Sequence, residues 1–192
     1  MKPSSFARVK PEDLRINPFH TIGEGWMLIT AGTAEDFNTM TANWGALGVL
    51  WGKPVALCFV RPSRHTFDYL NRSACFTLSF FDESHRAILD YCGTHSGRRV
   101  NKVAETGLKP IVTAEGGIAF EQARLILVCR RLYAQDIDPR LFSDPSTLGH
   151  YEHSDYHRMF VGEVVECLVA ERGLHEGRRP ARDGRDVPSD RK

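Results

Sequence analysis

Residues 51–70 read WGKPVALCFVRPSRHTFDYL, and their reading decides the rest of the chain. Val55–Arg61 is an apolar, β-prone run closed by Lys53-Pro54 before it and by Pro62 after it, which marks a strand. Proline cannot donate to a ladder and pushes the preceding residue toward extended geometry, so the strand ends at Arg61. Ser63 is then a suitable N-cap, and Thr66, Phe67 and Leu70 recur at helical spacing, predicting a helix over Ser63–Asn71. The strand therefore delivers the chain straight onto a helix start. That junction, RPSRHT, carries two arginines, a serine and a threonine in six residues. Free N–H groups and the helix dipole favour an anion there, and the side chains add charge-assisted donors. Arg61, Ser63, Arg64 and Thr66 are thus candidate anion ligands, with phosphate the natural anion. The plain alternative is an exposed basic helix start paired with Asp68 or Glu83.

Working outward, the same punctuation recurs. Trp26–Thr33, Phe37–Leu50, Cys75–Phe81, Ile118–Gln122, Arg124–Gln135 and Arg158–Val169 read as strands, the last with alternating valines. Helical signals are fewer: Ser84–Cys92, capped by Ser84, and a short Asn101–Thr106 stopped by Gly107. Strands dominate and helices are inserted between them. The expected fold class is mainly β, an antiparallel barrel with peripheral helices.

Two further segments carry chemistry. Asn38–Gly45 reads NTMTANWG, a strand with hydroxyl and amide groups beyond what its ladder needs, suited to a ligand with carbonyls and ring nitrogens. Its alternative is a hydroxyl-rich edge strand feeding a glycine turn. Ser96–Lys102 reads SGRRVNK; Lys102 is placed to reach a phosphate, whereas Arg98 and Arg99 read as solvated.

Composition sets the limits. The chain has 192 residues, 42% hydrophobic and 26% charged, enough for one globular domain. Its net charge of +1 gives no global field toward nucleic acid or anionic membrane. Cys58, Cys75, Cys92, Cys129 and Cys167 are odd in number, lack a CxxC pair and mostly sit in apolar runs, as free thiols do in a reducing cytoplasm. The N-terminus shows no signal-peptide pattern, and no apolar run approaches a bilayer span. The expected organisation is a domain over residues 1–170 and a disordered tail over 171–192, rich in Arg, Asp, Gly and Pro.

Together NTMTANWG, WGKPVALCFVRPSRHTFDYL, CFTLSFF, SGRRVNKVAETGL, FEQARLILVCRRLYAQD and YHRMFVGEVVE resemble the flavin reductase-like, FMN-binding split-barrel proteins, a family that includes flavoredoxin. The resemblance spans about Phe37 to Glu166. It implies an antiparallel Greek-key split β-barrel and a flavin mononucleotide (FMN) site. In that site Asn38, Met40, Thr41 and Trp44 line the ring or ribityl chain. Arg61, Ser63, Arg64 and Thr66 hold the phosphate with help from Lys102, and Ser79 and Phe80 lie beside the isoalloxazine. It also implies a homodimer with the flavin near the interface, so that residues near His157 reach it from the partner protomer.

The implied activity is hydride transfer from NADH or NADPH to FMN, then electron delivery to free flavin, ferric iron or a partner protein. The rival is a non-enzymatic FMN carrier of the flavoredoxin type. No GxGxxG with a following acidic residue marks a Rossmann site for the nicotinamide, and no element distinguishes NADH from NADPH. His150, His153 and His157 match no zinc spacing, so no metal is expected. Cys92, at a helix end before Gly93, is the most accessible thiol but has no neighbours that would activate it.

Overall fold

The structure is a computed structural model, and it describes residues 6–151 and 153–171. The expected tail, except Glu171, lies outside the described residues. In chain order the elements are β1 (Phe6–Val9), β2 (Met27–Gly32), β3 (Phe37–Ala42), β4 (Gly45–Leu50), β5 (Lys53–Val60), α1 (His65–Arg72) and β6 (Cys75–Phe80). There follow α2 (Arg86–Thr94), α3 (Lys102–Thr106), β7 (Pro110–Val112), β8 (Ile118–Phe120), β9 (Leu125–Asp136) and β10 (Arg158–Ala170). Short helical turns at Phe19–Glu24 and Pro145–His150 interrupt two of the long connections.

One antiparallel sheet runs β3-β2-β6-β9-β10-β5-β4, and β7 and β8 form a separate hairpin. The two outermost strands of that path, β3 and β4, are consecutive in the chain and joined only by Asn43 and Trp44. The sheet therefore curls back on itself at that corner. No ladder joins β3 to β4 among the described residues, so the curl is split there rather than zipped. On the far side, β10 holds two partners along one edge: Arg158–Glu163 pair with β5, and Cys167–Ala170 pair with β1. Register shifts at Val161/Gly162 and Val164/Glu166 bend β10 against β9 between those two halves. Gly162 lies at such a close approach that a Cβ there would stand 2.7 Å from both the Phe76 ring and Cys129 Cβ.

The central strands are buried on both faces. Along β9, Leu125, Leu127 and Cys129 turn into the curl with Ile29, Leu78 and Phe160. Ile126 and Val128 face outward beneath α2 and the β7–β8 hairpin with Leu28, Leu89 and Phe120. This explains why LILVC is continuously apolar instead of alternating.

Several boundaries move from their expected positions. The single run Phe37–Leu50 is two strands, because the chain turns at Asn43–Trp44 and Gly45 packs too close to the Leu57 carbonyl for any side chain, 2.8 Å from an added Cβ. Ser63 does not cap α1: Arg64 occupies the cap position with no side-chain bond, and the Ser63 hydroxyl goes elsewhere. Ser84 likewise falls within a short turn, and α2 begins at Arg86. The Asn101 side-chain Oδ1 does cap α3, accepting from Ala104 N–H, and Gly107 ends it in the left-handed region at φ 68°.

Candidate functional site

The end of β5, the start of α1, the end of α2, the start of α3 and β3 converge on a cleft with two arms. The first arm is a cavity of about 190 Å³ whose lining includes Asn38, Ser63, Arg64, Thr66, Gly97 and Lys102. Asn38 and Thr66 are both buried, and Asn38 Nδ2 donates to Thr66 Oγ1 at 2.7 Å. This bond leaves the Thr66 hydroxyl proton free to be donated. Gly97 is held against the Asn38 amide so tightly that a Cβ would stand 1.9 Å from Asn38 Oδ1. Only glycine fits this turn as built.

Lys102 is the unusual member. Its side chain is buried, the residue being 6% exposed, and Nζ donates to the carbonyls of Thr39 (2.8 Å) and Cys92 (2.7 Å). Burial lowers its pKa to about 8, with the Arg64 charge lowering it further and the Cys92 thiol opposing. Among the described residues no carboxylate forms an ion pair with Lys102, so one N–H of a buried ammonium remains for an anion. Arg64 donates through one guanidinium nitrogen to the Gly93 carbonyl at 3.0 Å, which aims the group across the cavity mouth.

The second arm, about 350 Å³, is lined by Met40, Thr41, Ala42, Asn43, Trp44, Phe59, Arg61, Arg64 and His157. It shares Met40, Arg61 and Arg64 with the first, so the two adjoin. The Thr41 hydroxyl donates to the Leu89 carbonyl and ties β3 to α2. The Trp44 ring lies 4.8 Å from that of His157 and meets His150 edge-on at 5.3 Å. His157 Nδ1 is 3.0 Å from the Tyr151 hydroxyl. Burial first, and the Arg61 charge second, push its pKa down to about 4, so the imidazole is neutral at pH 7. No Asp or Glu lines either arm.

A strap between β9 and β10 closes over the junction of the arms. Arg61 donates to the carbonyls of His150 (2.7 Å) and Asp155 (3.3 Å), and its guanidinium lies 5.1 Å from the Tyr151 ring centre. The Ser63 hydroxyl donates to Asp155 Oδ2 at 2.6 Å.

The structure thus gathers Asn38, Met40, Arg61, Ser63, Arg64, Thr66 and Lys102 in one arm, and Thr41, Trp44 and His157 in the other. His157 lines the cleft of its own chain. Ser79 and Phe80 are not brought there: β6 runs between β2 and β9, and both residues are 0% exposed. Phe80 belongs to the interior of the curl, and the Ser79 hydroxyl is buried without a partner. Their expected place beside a ring is therefore corrected to the core. Cys92 is also buried, with its thiol raised to about 11 by burial, rather than being the accessible thiol. Arg98 is not simply solvated: it bridges Asp68 (2.7 Å) and the Ser63 carbonyl (3.3 Å), bracing the α1 start. Among the described residues, no group of His, Cys, Asp or Glu is arranged to hold a metal. Sequence reading missed Asn43, Phe59, Tyr151 and Asp155. Asn43 carried a signal as an amide of NTMTANWG, and Phe59 carried one by alternating with buried Cys58 and Val60 on β5; Tyr151 and Asp155 carried none for this cleft.

Comparison with known proteins places this geometry. The family model described as flavin reductase like domain matches residues 19–181. The fold is similar to that of an FMN-binding domain of a flavin reductases-like enzyme from Shewanella baltica, with TM-score 0.64 and 15% identity over 88% of this chain and 80% of that one. A flavoredoxin from Methanosarcina acetivorans gives TM-score 0.60 and 20% identity over 84% and 79% of the two chains. An NADH:FAD oxidoreductase from Streptomyces globisporus gives 0.56 and 19% over 76% and 81%. No curated protein matches the chain in sequence. With most of its length covered by the family model, and with the mainly β, antiparallel fold of these split-barrel proteins, the chain belongs to the flavin reductase-like domain family.

Proposed function

We propose that this chain binds FMN in the two-armed cleft and acts as an NAD(P)H-dependent flavin reductase, as a homodimer. One observation carries the reading: Arg61, Arg64 and Lys102 converge on two adjoining cavities whose linings hold no Asp or Glu, Asp155 meeting them only through its bonds with Ser63 and Arg61. Such a donor set fits a phosphoryl group at one end. The neighbouring arm is a mixed aromatic and amide-bearing space of the volume that small-ligand clefts occupy. Lys102, Arg64 and the Thr66 hydroxyl, with the first-turn N–H groups of α1, would hold the phosphate.

When bound, FMN supplies the two-electron chemistry, accepting reducing equivalents from a nicotinamide and passing them on. The chain's own contribution is orientation and electrostatics. Tyr151 holds His157, which stays neutral and offers one donor or acceptor without adding charge. Trp44 walls one side. Met40 and Phe59 give the ring arm apolar contacts among its polar neighbours, while Thr41 is occupied in holding α2.

The dimer reading is supported by an apolar groove of about 500 Å³ along β4, lined by Phe19, Ile22 and Leu47 and sharing Asn43, Trp44 and Phe59 with the ring arm. Phe19 is 87%, Val49 79% and Trp51 60% exposed, an apolar surface of the kind a second copy covers. Five free thiols, four of them buried, suit a reducing cytoplasm. No helix among the described residues is long and apolar enough to cross a membrane.

The second reading, an FMN carrier reduced by a partner protein, is favoured by the lack of any nicotinamide fingerprint and by the flavoredoxin likeness. The deciding experiment is the visible spectrum of FMN-loaded, desalted protein, recorded anaerobically before and after NADH or NADPH. Retained bands that bleach support the reductase. Retained bands that resist both nucleotides support the carrier, and the absence of flavin binding at any concentration refutes the cofactor assignment.

A further inference from the structure

Two of the donors at the anion arm are occupied by the protein itself. The Ser63 hydroxyl is held by the Asp155 carboxylate at 2.6 Å, and Arg61 is held by the backbone carbonyls of Asp155 and His150. The strap that brings Asp155 there is anchored independently of this contact. Tyr151 meets His157 through a 3.0 Å bond, the Arg61 guanidinium lies over the Tyr151 ring, and His150 packs edge-on against Trp44. Asp155 is therefore presented to Ser63 by a fixed scaffold rather than by chance proximity.

We infer that Asp155 is a specificity-determining residue. Its carboxylate, seated on Ser63 beside Arg61, competes with a flavin phosphate for these donors and narrows the preference for FMN over unphosphorylated riboflavin. The inference rests on the reading that the cleft takes flavin. A phosphate monoester brings close to two negative charges at neutral pH. It cannot accept from Ser63 while Asp155 does, and a carboxylate left at that mouth repels it. Lys102, Arg64 and Thr66 are outside this competition, so the phosphate is still held, only with less advantage. Riboflavin brings no such charge and does not contest Ser63. Arg61 belongs to both arms, and its tether to the strap carbonyls lets the same carboxylate-bearing segment set how far the guanidinium reaches into the anion arm.

The test uses the full chain and Asp155→Asn, which removes the charge but can still accept from Ser63 and so keeps the strap. FMN and riboflavin are titrated by quenching of their fluorescence, and inorganic phosphate by the amide resonances of Ser63–Thr66. Asp155→Asn is expected to tighten FMN about tenfold, to tighten phosphate in parallel, and to leave riboflavin within about twofold. Unchanged or weaker FMN binding, or an equal shift for riboflavin, overturns the inference. If no flavin binds either protein, the flavin reading fails. The phosphate titration then decides the competition by itself: tighter binding to Asp155→Asn supports it, and equal binding overturns it. Asp155→Ala is the second variant: it removes the charge and releases Ser63 together, so FMN is expected to tighten at least as much as with Asp155→Asn, and unchanged FMN binding in it also overturns the inference.

Discussion

The two arms of the cleft are built by different means. In the anion arm, donors come from helix starts: Thr66 at the start of α1 is bonded to buried Asn38, Lys102 at the start of α3 to the Thr39 carbonyl, and the turn at Gly97 packs against the Asn38 amide. In the ring arm only Arg64, shared with the anion arm, is tied to a helix terminus, through the Gly93 carbonyl. Trp44 is a partly exposed corner between two strands, and His157 is set by a tyrosine from the strap. On the proposed reading the first arm is an electrostatic device, in which the desolvated Lys102 ammonium, paired with carbonyls and no carboxylate, attracts an anion. The second is a packing device whose open apolar edge merges with the groove along β4. Lys102 lines only the first arm and Trp44 only the second, so substitutions at these two positions probe the arms separately, whereas Arg61 and Arg64 line both.

The largest separation should come from Lys102→Met. Losing a buried charge-assisted bond costs about 1.5–3 kcal/mol, so FMN affinity falls roughly 10–100-fold in a fluorescence titration, while riboflavin affinity barely moves. An equal loss of riboflavin would show that Lys102 shapes the cleft rather than its charge. Next is Gly97→Ala. The added methyl meets Asn38 Oδ1, and overpacking of this kind costs about 1–3 kcal/mol, lowering both the melting temperature and FMN retention. An unchanged melt would mean the turn can yield.

The pH dependence sharpens the same contrast. Lys102 titrates near 8 in the free protein, and a bound anion stabilises its charged form and raises that value. Binding above pH 8 must then take up a proton, so FMN affinity should fall by up to about tenfold per pH unit there. On this group's account affinity is flat below pH 8, and riboflavin lacks the effect. A flat FMN profile to pH 9 would remove Lys102 from the phosphate contacts. The smallest effect is expected from Trp44→Leu: an aromatic contact is worth about 1 kcal/mol, so FMN and riboflavin weaken together by a few-fold. A change confined to FMN would break the division between the arms.

Much of the anion arm was legible in the amino-acid order, because its signals are local. Pro62 ends a strand, a helix opens three residues later at His65, and basic and hydroxyl side chains fall on the junction. What could not be read is which of those donors the fold leaves free. Ser63 looks like a helix cap, yet its hydroxyl is bonded to a carboxylate 92 positions away. Lys102 reads as a lysine able to reach a phosphate, but nothing local says that it is buried or that its partner carbonyl at Thr39 is 63 positions distant. Ser79 and Phe80 show the converse. Their strand was plain, but nothing local says that β6 sits between two other strands with both faces covered.

By itself the sequence determined the class of the fold, the existence and type of most elements, and the strand-to-helix junction where an anion is favoured. Those properties follow from proline and glycine geometry, side-chain periodicity and local N–H groups, all of which act over a few residues. Only the tertiary structure decided that Lys102 is desolvated without a counter-charge, that Gly97 closes on Asn38, that His157 is kept neutral, and that Asp155 holds Ser63. Each of those depends on segments brought together from distant parts of the chain, where burial and pairing set both the charge state of a group and its freedom to bind.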